Sequence, residues 1–217
     1  MAKQLGPILA KGTVGGINFY KDKDGNYILR GATGPTPDQV RNSKDFENTR
    51  RNNAEFKRAS KAGLSIRQAV RNVCSRCFDT TTHSRLQGAM LRIVKLDALH
   101  AWGEREILQE NLSALKGFEW NRQYSISQGM EPVTTLSATD VTVELACNTG
   151  MAMRGGQVSL LVIQFDQEGL ADPVVTSQSA PLIFMQPLTL NCALPQSGLW
   201  VAVLGVTGIG GGGVVVL

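Results

Sequence analysis

The clearest hydrophobic pattern lies in the first half of the chain, after a polar stretch rich in lysine and arginine. Apolar residues there recur at intervals of three and four, which is the spacing of one face of an α-helix. They are Ile66, Ala69, Val70, Val73, Cys74 and Cys77, and then Leu86, Ala89, Met90, Ile93 and Val94. The pattern predicts two amphipathic helices that each turn one face toward a core, the second running to about Trp102. A shorter helix is expected over Ile107–Leu115.

Upstream of the helices, the segment from Lys11 to Arg30 has the alternation of a β-hairpin. GTVGGINFYK alternates apolar and polar residues, Asp24-Gly25 supplies turn chemistry, and NYILR forms the return strand. Gly15 and Gly16 weaken the interior of the first strand, unless another backbone approaches closely there. An isolated hairpin is only marginally stable in water, so this one must pack on its own domain or on a neighbouring subunit.

A polar helix is predicted between the hairpin and the amphipathic helices. Thr36 is suited to be its N-cap and Pro37 its first residue. From Asp38 to about Lys61 the pattern is helical but polar on most faces, which is typical of a helix that bridges other elements or lies at an interface.

The second half of the chain has the pattern of an antiparallel β-sandwich. Short runs of β-forming residues recur every 8 to 12 residues, roughly, between turn signals. The runs are YSIS, PVTTL, DVTVELA, QVSLLVIQFD, PVVTS, PLIFMQPLTLNCA, GLWVAVLGV and VVVL. SLLVIQF and LWVAVLGV are apolar enough for central strands covered on both faces, whereas the final VVVL is expected to be an unpaired edge.

These patterns together predict an α+β protein with two domains. Residues 1–120 would form an N-terminal β-hairpin plus helical bundle, and residues 121–217 would form the antiparallel β-sandwich. Hydrophobic residues make up 42% of the chain and charged residues only 18%, which excludes intrinsic disorder. No apolar run approaches the roughly 20 residues of a membrane span. The N-terminal sequence MAKQLGPILAKG has too short an apolar run for an export signal. We therefore expect a cytoplasmic protein whose cysteines are reduced, since disulfides are rare in reducing compartments.

The net charge of +4 conceals an asymmetry between the two halves. Residues 1–120 carry 20 Lys and Arg against 12 Asp and Glu, a net +8, while residues 121–217 carry 2 against 6, a net −4. Such a basic region could attract nucleic acid or the acidic half of another copy. The basic residues are spread around the predicted helices without interleaved aromatic residues, so nucleic acid is the less favoured partner.

Candidate chemistry is sparse. Cys74 and Cys77 form a CxxC pair that, with His83 and His100, could supply four zinc ligands. Both cysteines lie on the apolar stripe, however, and the histidines lack the spacing of a zinc finger, so buried core cysteines are the favoured interpretation. No sequence-local nucleophile and base are found, and the sequence predicts no enzyme, no cofactor, no metal and no small-molecule substrate.

Three segments carry a resemblance to a known family. KGTVGGINFYKDKDGNYILRGATG, TRRNNAEFKRASKAG and LKGFEWN resemble a family of small Bacteroidota proteins with a K-G-T-x-G-G-I-x-F-Y hairpin and a T-R-x-N-x-x-E-F motif. The resemblance covers roughly residues 8–121 and extends to fibril-forming cytoplasmic subunits of gliding bacteria. It implies a subunit that self-assembles into helical filaments, and it transfers no catalytic residue.

The sequence therefore favours a structural protein whose partner is itself, assembled head-to-tail into a helical cytoplasmic filament. The alternative is a nucleic-acid-associated or phage-derived virion or tail-like protein that uses the basic helical region. No membrane partner is expected. The predicted assembly interface consists of Gly15, Gly16, Ile17, Phe19, Tyr20, Tyr27, Leu29, Arg50, Arg51, Arg58, Val214, Val215 and Val216.

Overall fold

The computed structural model describes residues 2–31, 34–74, 77–123, 130–147, 156–168, 171–181, 188–208 and 211–217. The run YSIS and most of PLIFMQ lie outside these ranges. The helices are α1 Pro37–Asn42, α2 Glu47–Val73 and α3 Thr82–Lys95, with 3₁₀ turns at Lys44–Phe46 and Gln109–Leu115. The strands are β1 Ala2–Lys3, β2 Gly12–Val14, β3 Ile17–Lys21, β4 Tyr27–Gly31, β5 Met130–Leu136, β6 Asp140–Cys147, β7 Gln157–Phe165, β8 Val174–Pro181, β9 Leu188–Ala193, β10 Leu199–Gly208 and β11 Gly211–Val216.

The chain has the α+β architecture that the sequence predicts, but the structure divides it at another position. The two compact units are Met1–Arg50 and Arg51–Leu217, whereas the sequence predicts a boundary between residues 120 and 121. The reason is that α2, α3 and the sheet containing β7 and β10 share one hydrophobic core. The predicted helical bundle is therefore a pair of helices packed on a sheet.

The N-terminal unit holds a four-stranded antiparallel sheet in the order β1-β4-β3-β2. Gly15 and Gly16 have φ values of +55° and +77° and connect β2 to β3, so they form a tight turn rather than the interior of one strand. Positive φ at both positions of a two-residue hairpin loop is where glycine is favoured. The sequence pattern predicts one strand for GTVGGINFYK because its apolar and polar residues alternate. Two successive glycines preserve that alternation, so the pattern gives no sign of a turn.

The start of α1 and the buried faces of α2 and α3 agree with the sequence pattern. Thr36 accepts a hydrogen bond from the Gln39 N–H while the Gln39 side chain accepts one from the Thr36 N–H, which makes a capping box at α1. The predicted stripe on α2 and its continuation is buried except for Val73, and all five predicted residues of α3 are buried. The second helix ends at Lys95 rather than Trp102.

The larger unit has three layers. One sheet has the order β11-β10-β7-β8 and the other β5-β6-β9. Leu160 and Val162 of β7 face the second sheet, while the alternate residues Leu161 and Ile163 face α2 and α3. The two central strands are thus covered on both faces, as their continuous apolar sequences predict.

The C-terminal strand differs from its prediction as an unpaired edge. β11 pairs with β10 on one side, and the segment Gly117–Trp120 lies along its other side. The Gly117 N–H donates to the Val216 carbonyl over 2.8 Å, and the Trp120 N–H donates to the Val214 carbonyl over 2.8 Å. The sequence could not show this pairing, because the two segments are almost 100 residues apart. None of the helices in the described part of the chain is long and apolar enough to cross a membrane.

Neighbouring residues of β7 should contribute to two different cores. We expect Leu160→Ala and Leu161→Ala each to lower the free energy of unfolding by about 2 to 5 kcal/mol, since each leaves a cavity in a separate, fully packed layer. Chemical denaturation monitored by circular dichroism measures both values. A Leu161→Ala effect below about 1 kcal/mol, beside a full Leu160→Ala effect, would show that the helical layer does not share the core of the sheet.

Candidate assembly interface

One face of the N-terminal sheet is apolar. In antiparallel pairs, residues that lie opposite one another point to the same face. Val14 lies opposite Ile17, and Phe19 lies opposite Leu29. Tyr27 has the same parity on β4 as Leu29, so the face gathers these five side chains.

The register separates Tyr20 from the other predicted interface residues. Tyr20 lies opposite Ile28 on the other face, and the Arg30 guanidinium carbon is 5.6 Å from the centre of the Tyr20 ring. On the apolar face, by contrast, Tyr27 has the ammonium groups of Lys11 and Lys21 at 5.8 and 5.5 Å from its ring. The apolar face is therefore bordered by positive charge.

The N-terminal unit lacks a core in its described part. No described residue between 2 and 50 is buried, and the first buried residue in the described ranges is Glu55. Val14 is 72% exposed and Ile17 is 39% exposed. A sheet of three or more strands gains its stability by packing a hydrophobic face, and within the described part of this unit the face covers no buried core.

The turn between β3 and β4 is organised locally. Asp22 accepts hydrogen bonds from the N–H groups of Asp24 and Asn26 over 2.9 and 2.8 Å, and from the Asn26 side chain over 3.1 Å. The Asn26 side chain is the largest influence that lowers the pKa of the Asp22 carboxyl. This hairpin holds its shape without a core beneath it.

The three arginines predicted for the interface have contacts within the chain. Arg50 donates to the carbonyls of Val40 and Ser43 over 3.0 and 2.8 Å. Arg58 donates to the carbonyls of Gly103 and Arg105, both over 3.0 Å, and the guanidinium of Arg51 stacks over the Trp102 ring at 5.6 Å. All three guanidinium groups thus have partners within the chain, and their role in an assembly interface stays a prediction.

Other cations of the basic region are engaged in the same way. Lys61 donates to the Glu168 carbonyl, Arg67 contacts the His83 ring, and Arg71 stacks over the Phe78 ring at 5.2 Å. Arg85 binds Asp79 over 2.8 Å and donates to the carbonyls of Glu119 and Trp120. A nucleic-acid footprint needs cations that project from the surface toward phosphates, and these side chains have partners within the chain instead.

Val214, Val215 and Val216 are buried, at 2%, 6% and 3% exposure. Val214 and Val216 face the helical layer and Val215 faces the second sheet. They are not the accessible receiving edge that the sequence predicted, because both edges of β11 are paired within the chain.

Both cysteines of the CxxC pair are buried. Cys74 and Cys77 form a disulfide with their Cα atoms 5.6 Å apart, which corrects the expectation of free thiols at these positions. Cys192 is a free, buried thiol, and burial raises its pKa. His83 contacts Arg67 and His100 contacts Asp97, so neither adjoins the cysteines as a zinc ligand. Within the described ranges, no three His, Cys, Asp or Glu side chains are grouped as a metal site.

Two buried carboxylates were missed by the sequence prediction. Glu55 is 2% exposed and accepts a hydrogen bond from the Gly103 N–H over 2.8 Å. Asp97 accepts from the N–H groups of Leu99 and Glu106, each over 2.8 Å. Their only sequence signal was an acidic residue at a helix position that faces inward or directly after a helix.

Asp97 has an unusual electrostatic environment. Burial alone would raise its pKa, but the donated hydrogen bonds of Glu106, Leu99 and His100 outweigh burial and lower the pKa to about 2. The His100 Nδ1 lies 2.7 Å from Asp97 Oδ2. Asp79 behaves alike: burial would raise its pKa, while donors from Thr81, Arg122 and Thr82 lower it well below its ordinary value. These carboxylates accept hydrogen bonds from the loops on either side of α3 and hold them in place.

The chain shows no significant match to a protein-family model, to a curated protein or to a solved structure. The resemblance to the Bacteroidota family therefore stays a prediction. The structure nonetheless gives its motif residues physical roles: Gly15 and Gly16 form a turn, Asn52 accepts from the Trp102 ring N–H over 3.2 Å, and Glu55 binds the Gly103 N–H. These contacts hold the local structure together.

The Asp97 carboxylate should make stability depend on pH. Its folded pKa is lowered from 3.8 to about 2, so its stabilising effect is complete above about pH 4 and is lost as the pH falls toward 2. We expect Asp97→Asn to lower the melting temperature at pH 7 and to flatten its decline between pH 4 and 2. Asp172→Asn, at an exposed position, is the control and should leave the profile unchanged. A parallel decline in Asp97→Asn and the native protein would contradict the assignment.

The Cys74–Cys77 disulfide can be tested by counting the reactive thiols of the unfolded protein. Unfolded without reductant, the native protein and the double variant Cys74→Ser, Cys77→Ser should show equal numbers of reactive thiols. Reduction of the native protein should lower the free energy of unfolding by about 2 kcal/mol, as expected for closing so short a loop. Two additional thiols in the unreduced native protein would show that the pair is reduced.

Proposed function

We propose that this protein is a structural subunit that self-assembles head-to-tail into a helical filament in the cytoplasm. The observation that carries the proposal is the N-terminal sheet, whose described residues include none that is buried although one face of the sheet is apolar. The larger unit, by contrast, contains two hydrophobic cores. A sheet that carries an apolar face without a core of its own is suited to complete that core on another molecule.

The energetic argument rests on the apolar face. Fully burying an aliphatic or aromatic side chain contributes about 1.5 to 3 kcal/mol relative to leaving it exposed. Val14, Ile17, Phe19, Tyr27 and Leu29 together offer several such contributions, of which part opposes the entropy lost on association. A second copy supplies a matching surface without requiring any other partner.

Symmetry supports a head-to-tail arrangement. A heterologous contact that does not close into a ring generates a helical filament. The two structural units carry net charges of the same sign, with 8 Lys and Arg against 5 Asp and Glu in Met1–Arg50 and 14 against 13 in Arg51–Leu217, so apolar contact supplies the attraction.

The alternative of a nucleic-acid-associated or phage-derived virion protein has weaker support. Arg50, Arg58 and Arg85, which belong to the basic region, donate to carbonyl groups of the chain itself. Retention of a monomer on DNA, with a strong dependence on salt, would favour this alternative over self-assembly.

The apolar face should be required for assembly. We expect Ile17→Asp to prevent filament formation, because it places a carboxylate where the proposed contact excludes water. Asn18→Asp is the matched control, since the neighbouring residue points to the opposite face. Sedimentation and negative-stain microscopy report filaments, and circular dichroism checks that both variants are folded.

Deleting residues 1–34 provides a second variant, which should be a folded monomer because both cores lie in the remaining chain. Filaments of unchanged diameter from the deletion variant or from Ile17→Asp would show that the N-terminal sheet does not carry assembly.

A further inference from the structure

The larger unit contains a polar cleft of about 490 Å³ between α3 and residues 117–122. Arg85, Gly88 and Arg92 line the cleft from α3, and Arg122 lines it from the facing segment. Its volume lies within the range of about 300 to 1,000 Å³ in which proteins bind small molecules. The cleft therefore has room for a ligand of that size.

Hydrogen bonds hold both sides of the cleft in place. The facing segment pairs with β11, where the Trp120 N–H donates to the Val214 carbonyl over 2.8 Å. Arg85 joins the two sides, since it binds Asp79 over 2.8 Å and donates to the Glu119 carbonyl over 2.7 Å. The charge of Arg85 is offset by Asp79, so Arg85 shapes the cleft rather than attracting a ligand.

Arg92 and Arg122 give the cleft its positive charge. Both residues are exposed, and neither side chain has a hydrogen-bond or salt-bridge partner among the described residues. Glu119 also borders the cleft, but it lies opposite Val215, whose side chain faces the second sheet. Residues opposite one another in an antiparallel pair point to the same face, so the Glu119 side chain points away from α3.

Gly88 keeps the cleft open at the middle of α3. It lies four residues before Arg92, so the two positions are neighbours on one face of the helix. A Cβ added at Gly88 would meet no atom within 4 Å, so packing does not require glycine there. Glycine in a helix interior is less stable than alanine. The missing side chain thus widens the cleft beside Arg92, although it lowers the stability of the helix.

The chemistry of two arginines fits a phosphate monoester. A guanidinium presents paired N–H donors that match the oxygens of phosphate bidentately. A phosphate monoester carries a charge of about −1.5 to −2 at pH 7 and three strong acceptor oxygens, so one group matches both arginines. A carboxylate, by contrast, ionises only once and would leave one arginine without a counter-charge.

We infer that this cleft binds a small molecule that carries a phosphate monoester, held by the guanidinium groups of Arg92 and Arg122. The site belongs to the larger unit and uses no residue of the N-terminal sheet. It therefore goes beyond the proposed assembly and does not depend on it.

Calorimetric titration of the full chain with inorganic phosphate, at constant ionic strength, tests the site. Arg92→Ala and Arg122→Ala should each weaken binding roughly tenfold or more, because each removes one charged partner of the phosphate. Arg41→Ala is the matched control, since Arg41 is an exposed arginine outside the cleft and its loss should leave the affinity unchanged. Equal affinities in all three variants, or no saturable binding by the native protein, would overturn the site.

Gly88 provides a variant that separates folding from binding. Gly88→Glu should raise the melting temperature, because glutamate favours helix over glycine and pairs with Arg92 four residues later. The same variant should lower the affinity for phosphate roughly tenfold or more, since its carboxylate repels the anion. Gly88→Gln is the uncharged control of similar size and should weaken binding less. A Gly88→Glu protein that binds phosphate as the native protein does would contradict the inference.

Further titrations identify the source of the phosphate. Adenosine monophosphate should bind at least as tightly as inorganic phosphate, and acetate should not displace either one. Displacement by an equal concentration of acetate would overturn the preference for phosphate. An unphosphorylated single-stranded oligonucleotide may be titrated in the same way. Tighter binding of that oligonucleotide than of phosphate, lost in both Arg92→Ala and Arg122→Ala, would overturn the monoester in favour of a nucleic-acid backbone.

Discussion

The burial of β7 and β10 on both faces is the constraint on which the larger unit depends. Each strand sends alternate side chains into a helical layer and into a second sheet, so neither layer is complete without the other. Continuous apolar strands are tolerated only where both faces are covered. This explains why α2 and α3, although encoded in the first half of the chain, belong to the same unit as the strands of the second half.

Polar interactions then hold the connections in place around these cores. Asp79 and Arg85 join the start of α3 to the segment that pairs with β11, and Thr82 donates to the Trp120 carbonyl. Buried carboxylates at Glu55 and Asp97 receive backbone N–H groups from the loop after α3. Gly103 completes this junction: at φ +95°, a Cβ there would approach the Arg51 side chain to 2.8 Å.

The contrast between the two units gives the proposed function its physical basis. The larger unit buries two hydrophobic cores, whereas no described residue of the N-terminal unit is buried and that unit presents an apolar sheet face and exposed Leu5 and Ile8. Stability that one chain does not supply by itself can be supplied by a neighbour. The arginines that appeared available from the sequence have partners within the chain. Apolar contact is therefore the force on which the proposed association relies.

The sequence alone determined the local features. The stripes of α2 and α3, the capping box at Thr36, the hairpin around Asp24-Gly25 and the doubly apolar central strands follow from periodicity and turn chemistry within short windows. Only the tertiary structure decided which elements share a core, that Gly117–Trp120 covers the edge of β11, and that Tyr20 lies apart from Phe19 on the N-terminal sheet. Each of these depends on a pairing or register between segments, and residues far apart in sequence carry no local signal of the partner that they will contact.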